Sequence, residues 1–192
     1  MKKMPTQCDV CKHKRCYTGK DCFNLAEQSL QAYHGDQLKL AQVASGIEAQ
    51  FYMEKTRLEE LILFAGRMDY QRLGVAFCIG LSEEARILSE FLRKEFEVVS
   101  VCCKVCGIDK CRLDLDRMKP DTHEAMCNPV GQAMLLNKQH TDLNIICGLC
   151  IGHDIQFSQH SEAPVTTFIV KDRMLAHNTA GSLYCQYLRK RI

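Results

Sequence analysis

Leu73-Gly74-Val75-Ala76-Phe77-Cys78-Ile79, followed three residues later by Ser82-Glu83-Glu84, decides how this chain folds. A short unbroken apolar run of this kind is a strand buried on both faces. The serine and its two glutamates open an amphipathic helix expected to reach about Lys94. The same change of period recurs downstream. Val98-Val99-Ser100-Val101-Cys102-Cys103 reads as a second strand, Asn128-Pro129 as the N-cap and first residue of a helix ending near His140, and Leu143-Asn144-Ile145-Ile146-Cys147 as a third strand. Val165 to Val170 makes a fourth, and Thr179 onward a terminal helix. Strands alternating with helices require parallel pairing through right-handed crossovers, so the expected fold is a three-layer α/β domain over residues 70–192, with a parallel sheet of about four strands.

Upstream the character differs. From residue 24 to 69, apolar positions recur at mostly three and four (Leu38, Val43, Ile47, Phe51, Leu58, Leu61, Ile62), which predicts helices packed on the body. Thr56 and Glu59 stand in capping-box register before Leu61-Ile62-Leu63-Phe64. Residues 1–23 carry too little apolar surface to fold without a cross-link or metal.

Charge is nearly balanced, 25 Lys and Arg against 23 Asp and Glu, and Trp is absent, so neither a basic face nor an aromatic stacking platform for nucleic acid is expected. Met1-Lys2-Lys3-Met4-Pro5 leads into cysteines rather than into the apolar run of a secretion signal, and no stretch approaches 18 apolar residues. A cytoplasmic protein without membrane partner is the expectation. In that compartment 13 cysteines are metal ligands or reactive thiols, not a disulfide scaffold.

Cys8-x2-Cys11-x4-Cys16-x5-Cys22 is the strongest chemical signal. Four thiolates opened by a Cys-x2-Cys pair suit tetrahedral zinc or the corners of an iron–sulfur cluster, with 4Fe-4S favoured. Lys12, Lys14, Arg15 and Lys20 around them favour thiolate over thiol. A purely structural zinc knuckle is the alternative.

A second set is dispersed in sequence and converges in the expected fold. Cys78 ends the first strand, Cys102 and Cys103 the second, Cys150 follows the third, and Cys127 precedes a helix start. Ligands of open α/β sheets bind beyond the carboxyl ends of the strands, where all of these belong. Cys78, Cys103, Cys127 and Cys150 are therefore expected to form a cofactor or reactive-thiol site, with His153 and His177 at its edge. Asn128, Gln132, Asn137, Asp142, Asp154, Lys171, Asp172 and Arg173 are further polar candidates for the pocket. Cys147 and Cys185, within apolar runs, read as core residues. Cys103-x2-Cys106-x4-Cys111 repeats the N-terminal spacing and raises a rival local metal site. A Cys-His hydrolase built on Cys150 with His153 or His177 is conceivable, and no glycine pattern matches a nucleotide-binding loop.

Ala76-Phe77-Cys78-Ile79-Gly80-Leu81, Met126-Cys127-Asn128-Pro129, Thr141-Asp142-Leu143-Asn144, Gly148-Leu149-Cys150-Ile151-Gly152-His153-Asp154, Ala163-Pro164-Val165-Thr166 and Val170-Lys171-Asp172-Arg173 through His177-Asn178 resemble a prokaryotic family of uncharacterised metal-binding proteins, a domain of unknown function common in anaerobes. The resemblance spans nearly the whole chain. It implies an N-terminal cysteine cluster on an α/β body bearing Cys78, Cys103, Cys127 and Cys150, without Cys106 and Cys111, and it supplies no reaction. Two classes follow: an iron–sulfur redox enzyme, electron carrier or metal-handling protein with a redox partner, or a structural-zinc knuckle on a module that binds a small molecule or metal.

Overall fold

The structure, a computed structural model, describes residues 6–119 and 121–191, so the reading of Met1 to Pro5 lies outside the described residues. Four strands, β1 (Arg72–Phe77), β2 (Glu97–Cys102), β3 (Leu143–Cys147) and β4 (Val165–Ile169), form one all-parallel sheet in the order β2-β1-β3-β4. This is the expected α/β fold. β1 and β3 are central and buried almost throughout, which is why they read as continuous apolar runs.

Helices α1 (Ala26–Ala32), α2 (Gly35–Phe51) and α3 (Arg57–Arg67) precede the sheet. α3 starts on the expected capping box, with the Thr56 side chain accepting from the Glu59 amide and Glu59 accepting from the Thr56 amide. It sends Leu61 and Ala65 into the core, whereas α2 buries Ile47 and α1 buries nothing. Arg57, at the start of α3, donates from Nε and Nη2 to the Thr167 carbonyl of β4 at 3.0 and 2.7 Å and from Nη2 to Thr166 Oγ1.

Helix α4 (Ser82–Leu92) joins β1 to β2, α5 (Pro129–Lys138) precedes β3, and α6 (His153–His160) joins β3 to β4. Right-handed crossovers place α4 on one face and α5 with α6 on the other, because the chain moves outward from β1 in one direction and then returns through β3 in the opposite one. The strand order thus reverses between β1 and β3. The crevice above their carboxyl ends is where such a sheet binds ligands.

Several boundaries differ from the sequence expectation. β1 stops at Phe77, and Ile79–Leu81 form a 3-10 turn, so Ser82 is already helical and its hydroxyl donates back to the Ile79 carbonyl instead of capping α4. β2 stops at Cys102, leaving Cys103 just beyond the strand. The terminal helix resolves into two single turns, α7 (Gly181–Tyr184) and α8 (Gln186–Arg189), separated by extended Cys185; neither buries a residue that would sustain a longer helix. Cys185 is exposed rather than core.

At the head of α5 the expected cap holds: Asn128 Oδ1 accepts from the Gly131 amide at 2.8 Å, followed by Pro129 at the first position. Asn128→Ala is expected to cost about 1 kcal/mol, a fall of roughly 2–4 °C in Tm for a domain of this size. Thermal unfolding monitored by circular dichroism reads it, and an unchanged Tm would show that the cap contributes nothing. On β1, Gly74 lies against β3 so closely that a Cβ there would sit 2.0 Å from Asn144 Oδ1 and 2.9 Å from Leu136 Cδ1. Asn144 itself is fully buried, accepting from Thr141 Oγ1 and donating to Ser161 Oγ, both at 2.8 Å.

Candidate thiolate centre

The carboxyl ends of β1 and β2 bring three cysteines side by side. Cys78 follows β1 directly, and Cys103 follows β2, its amide donating to the Phe77 carbonyl at 2.8 Å. The loop that returns to α5 is pinned there, because the Asn128 amide donates to the Cys103 carbonyl at 2.7 Å. That bond sets Cys127 beside Cys103. The three thiols lie close enough to act on one another electrostatically, Cys103 on Cys127 and on Cys78. Cys103 Sγ also accepts the Ile79 amide at 3.3 Å. Cys78 and Cys103 are buried, while Cys127 is partly open.

Cations complete the pocket. After β4 the chain crosses the strand ends as a strap, and Lys171 Nζ donates to Cys78 Sγ at 3.0 Å while Arg173 Nη2 donates to Cys150 Sγ at 3.0 Å. Lys104, which sequence reasoning passed over, donates to the Ala125 carbonyl at 2.6 Å and its charge bears on Cys127. The one signal for it was its position immediately after Cys102-Cys103.

These neighbours separate the thiols electrostatically. The Cys103 thiol is the main stabiliser of a Cys127 thiolate; burial opposes it, the charges of Lys104 and His153 assist, and the thiol titrates at about 5. The same pairing raises Cys103 far above an ordinary thiol, with burial acting in the same direction. The two thiols therefore titrate as a pair, pushed down at Cys127 and up at Cys103. For Cys78, burial works against the thiolate, but Lys171, the Gly80 amide and Cys103 outweigh it and lower its pKa. Cys147, inside β3, is pushed up to about 11 by burial and is a core residue, as its apolar surroundings implied.

The fourth expected member is held differently. Cys150, just before α6, is tied to the strap through Arg173. His153, the first residue of α6, bears on Cys127. His177 turns back on its own loop, its Nδ1 accepting the Asp172 amide at 3.1 Å. Gln132 lies beneath the pocket, fully buried, with Nε2 donating to the Phe77 and Val101 carbonyls at 3.1 and 2.7 Å and Oε1 without a donor. Other polar candidates belong elsewhere. Asp142 accepts the Gln71 and Arg72 amides at the opposite end of the sheet, and Asn137 ties α5 to the end of α6 through His160 and Glu162.

Cys8, Cys11, Cys16 and Cys22 are all exposed on a segment that buries no residue. The Cys11 amide donates to the Cys8 carbonyl at 3.3 Å, closing the turn of the Cys-x2-Cys pair, and the nearby Lys14 and His13 amides, Lys14 foremost, lower the Cys11 pKa. That amide-supported thiolate suits a tetrahedral thiolate site. Among the described residues no three His, Cys, Asp or Glu side chains surround one cation-sized point.

Cys106 and Cys111 are exposed on the loop between β2 and α5. Asp109 organises that loop by accepting the Cys111 amide at 2.9 Å and pairing with Arg117 and His123, and the Cys111 amide foremost holds its carboxyl down at about 2. A cavity of about 730 Å3 opens elsewhere, between α2, α3 and β4, lined by Leu40, Ile47, Leu61, Phe64 and Phe168. Its lining is mostly apolar, with Glu48, Lys55, Arg57 and Glu60 among it, and contains none of the cysteines. No described helix is long and apolar enough to cross a membrane.

The family described as "Protein of unknown function (DUF1847)" matches residues 16–168. An uncharacterized protein of Methanocaldococcus jannaschii is 55% identical over 188 residues, covering 97% of each chain. The chain belongs to that family. No solved structure matches it.

Proposed function

We propose, from the premise of membership in this family of unknown function, that the chain is a metal-binding redox protein with two sulfur centres. Cys8, Cys11, Cys16 and Cys22 hold an iron–sulfur cluster, 4Fe-4S ahead of zinc, in an electron-transfer or metal-handling role. The strand-end thiols Cys78, Cys103 and Cys127, with Cys150 under the strap, are the centre where a small molecule or redox partner reacts. The observation that carries this reading is the gathering of Cys78, Cys103 and Cys127 at the carboxyl ends of β1 and β2, with Lys171 on Cys78, Arg173 on Cys150 and the charge of Lys104 on Cys127. Cations around thiolates are wasted on a structural core and useful to a reacting one. The cluster, when bound, supplies one-electron chemistry; the chain supplies the thiolates and their charge balance.

Purification without oxygen, followed by iron, zinc and acid-labile sulfide analysis, tests the N-terminal assignment. Brown protein with stoichiometric iron and sulfide, bleached on reduction, is expected; a colourless preparation with one equivalent of zinc would establish a structural knuckle instead. Cys11→Ser and Cys16→Ser should each lower metal content severalfold while far-ultraviolet circular dichroism of the sheet and its helices persists, since the segment adds nothing to the core. Full occupancy in both variants would remove these residues as ligands.

A further inference from the structure

Two neighbouring thiols of unequal access and unequal proton affinity are arranged for stepwise chemistry. Cys127 is partly open, whereas Cys103 beside it is 2% exposed. The Asn128 amide on the Cys103 carbonyl fixes the two backbones side by side, so the pair is set by main-chain geometry rather than by chance approach of side chains. Lys104, whose ammonium holds the Ala125 carbonyl two residues before Cys127, and His153 make its surroundings cationic. The buried Gln132 side chain beneath the pocket keeps an acceptor without a donor.

We propose that Cys127 and Cys103 form a dithiol that reduces small carboxylate-bearing organic disulfides, with Cys127 attacking and Cys103 resolving. The proposal deepens the thiolate-centre reading of the strand ends and is independent of the metal at the N-terminus. In the first step the Cys127 thiolate attacks one sulfur of R–S–S–R; that bond breaks, RS⁻ leaves and takes a proton from solvent, and a Cys127–S–S–R mixed disulfide remains. In the second, Cys103 gives up its proton and attacks the Cys127 sulfur, and the second RS⁻ leaves with that proton. Two RSH are released and one Cys103–Cys127 disulfide forms, so the substrate gains the two electrons that the pair loses. The buried position of Cys103 restricts resolution to the mixed disulfide already delivered by Cys127. The cationic surroundings favour carboxylates over neutral substituents.

Full-length protein prepared under argon and treated with oxidised glutathione tests this, with alkylation quench and peptide mass mapping as the readout. Wild type should lose the Cys103 and Cys127 thiols together and yield the peptide pair joined through them, with two glutathiones released for each pair formed. Cys103→Ser should stop at glutathione on Cys127, and Cys127→Ser should form neither product. A glutathione adduct on wild-type Cys127 as persistent as that in Cys103→Ser, or an unreacted Cys127 while the exposed N-terminal cysteines are modified, would overturn the proposal. Metal and sulfide counts on the same samples report the N-terminal assignment separately, and the wild-type result stands whether or not a variant folds.

Discussion

Gly74→Ala should unfold this protein more readily than any change at its surface, lowering stability by several kcal/mol. The position is on central strand β1, and the added methyl carbon would fall 2.0 Å from Asn144 Oδ1 and 2.9 Å from Leu136 Cδ1. Neither neighbour can retreat easily. Asn144 is fully buried on β3 and committed to Thr141 and Ser161, and Leu136 is fully buried on α5. Making room either breaks a buried hydrogen-bond pair, about 1–3 kcal/mol for each polar group left unsatisfied, or strains a packed core by about the same amount. Urea unfolding should show a clearly lower midpoint at unchanged slope. A midpoint equal to wild type would mean that β1 and β3 separate at small cost.

The second large effect is on proton affinity. Peptide-resolved alkylation of wild-type Cys127 should rise with pH through a midpoint at about 5, because the thiolate persists down to that pH and is lost below it. Cys103→Ala removes the leading cause of that depression and leaves Lys104 and His153 to act alone. The midpoint should move upward by about 2 to 3 pH units, toward the ordinary thiol range near 8.5. The midpoint, not the rate at one pH, is the proper readout. A more basic thiolate is also more nucleophilic, and the two trends partly cancel in the rate. A midpoint unmoved by the substitution would show that the Cys103 thiol does not govern Cys127.

The sheet was legible because its signals are local. Strands buried on both faces show as unbroken apolar runs, and Asn128-Pro129 and Thr56-x2-Glu59 declare helix starts by their own chemistry. The placement of Cys78, Cys103, Cys127 and Cys150 near the strand ends followed from topology alone. What did not follow was how the sulfurs connect. The Asn128 amide on the Cys103 carbonyl and the strap that carries Lys171 back to Cys78 span long separations, and no periodicity records them. Ser82 misled because a serine before two glutamates caps a helix only when the serine itself is extended, and here the 3-10 turn carries Ser82 into helical conformation. Cys185 misled because flanking apolar residues say nothing about burial when the segment packs no face against the body.

Arg57 has a consequence for self-association. β4 is an outer strand, and a parallel sheet with a bare outer strand offers its main-chain carbonyls and amides to any extended chain that drifts past. By placing its guanidinium on the Thr167 carbonyl, α3 occupies one of those hydrogen-bonding positions in the middle of the strand. A passing strand would have to evict a charged, doubly bonded group before it could lie in register. The sheet therefore carries its own stop against polymerisation on that side, supplied from a helix more than a hundred residues earlier in the chain.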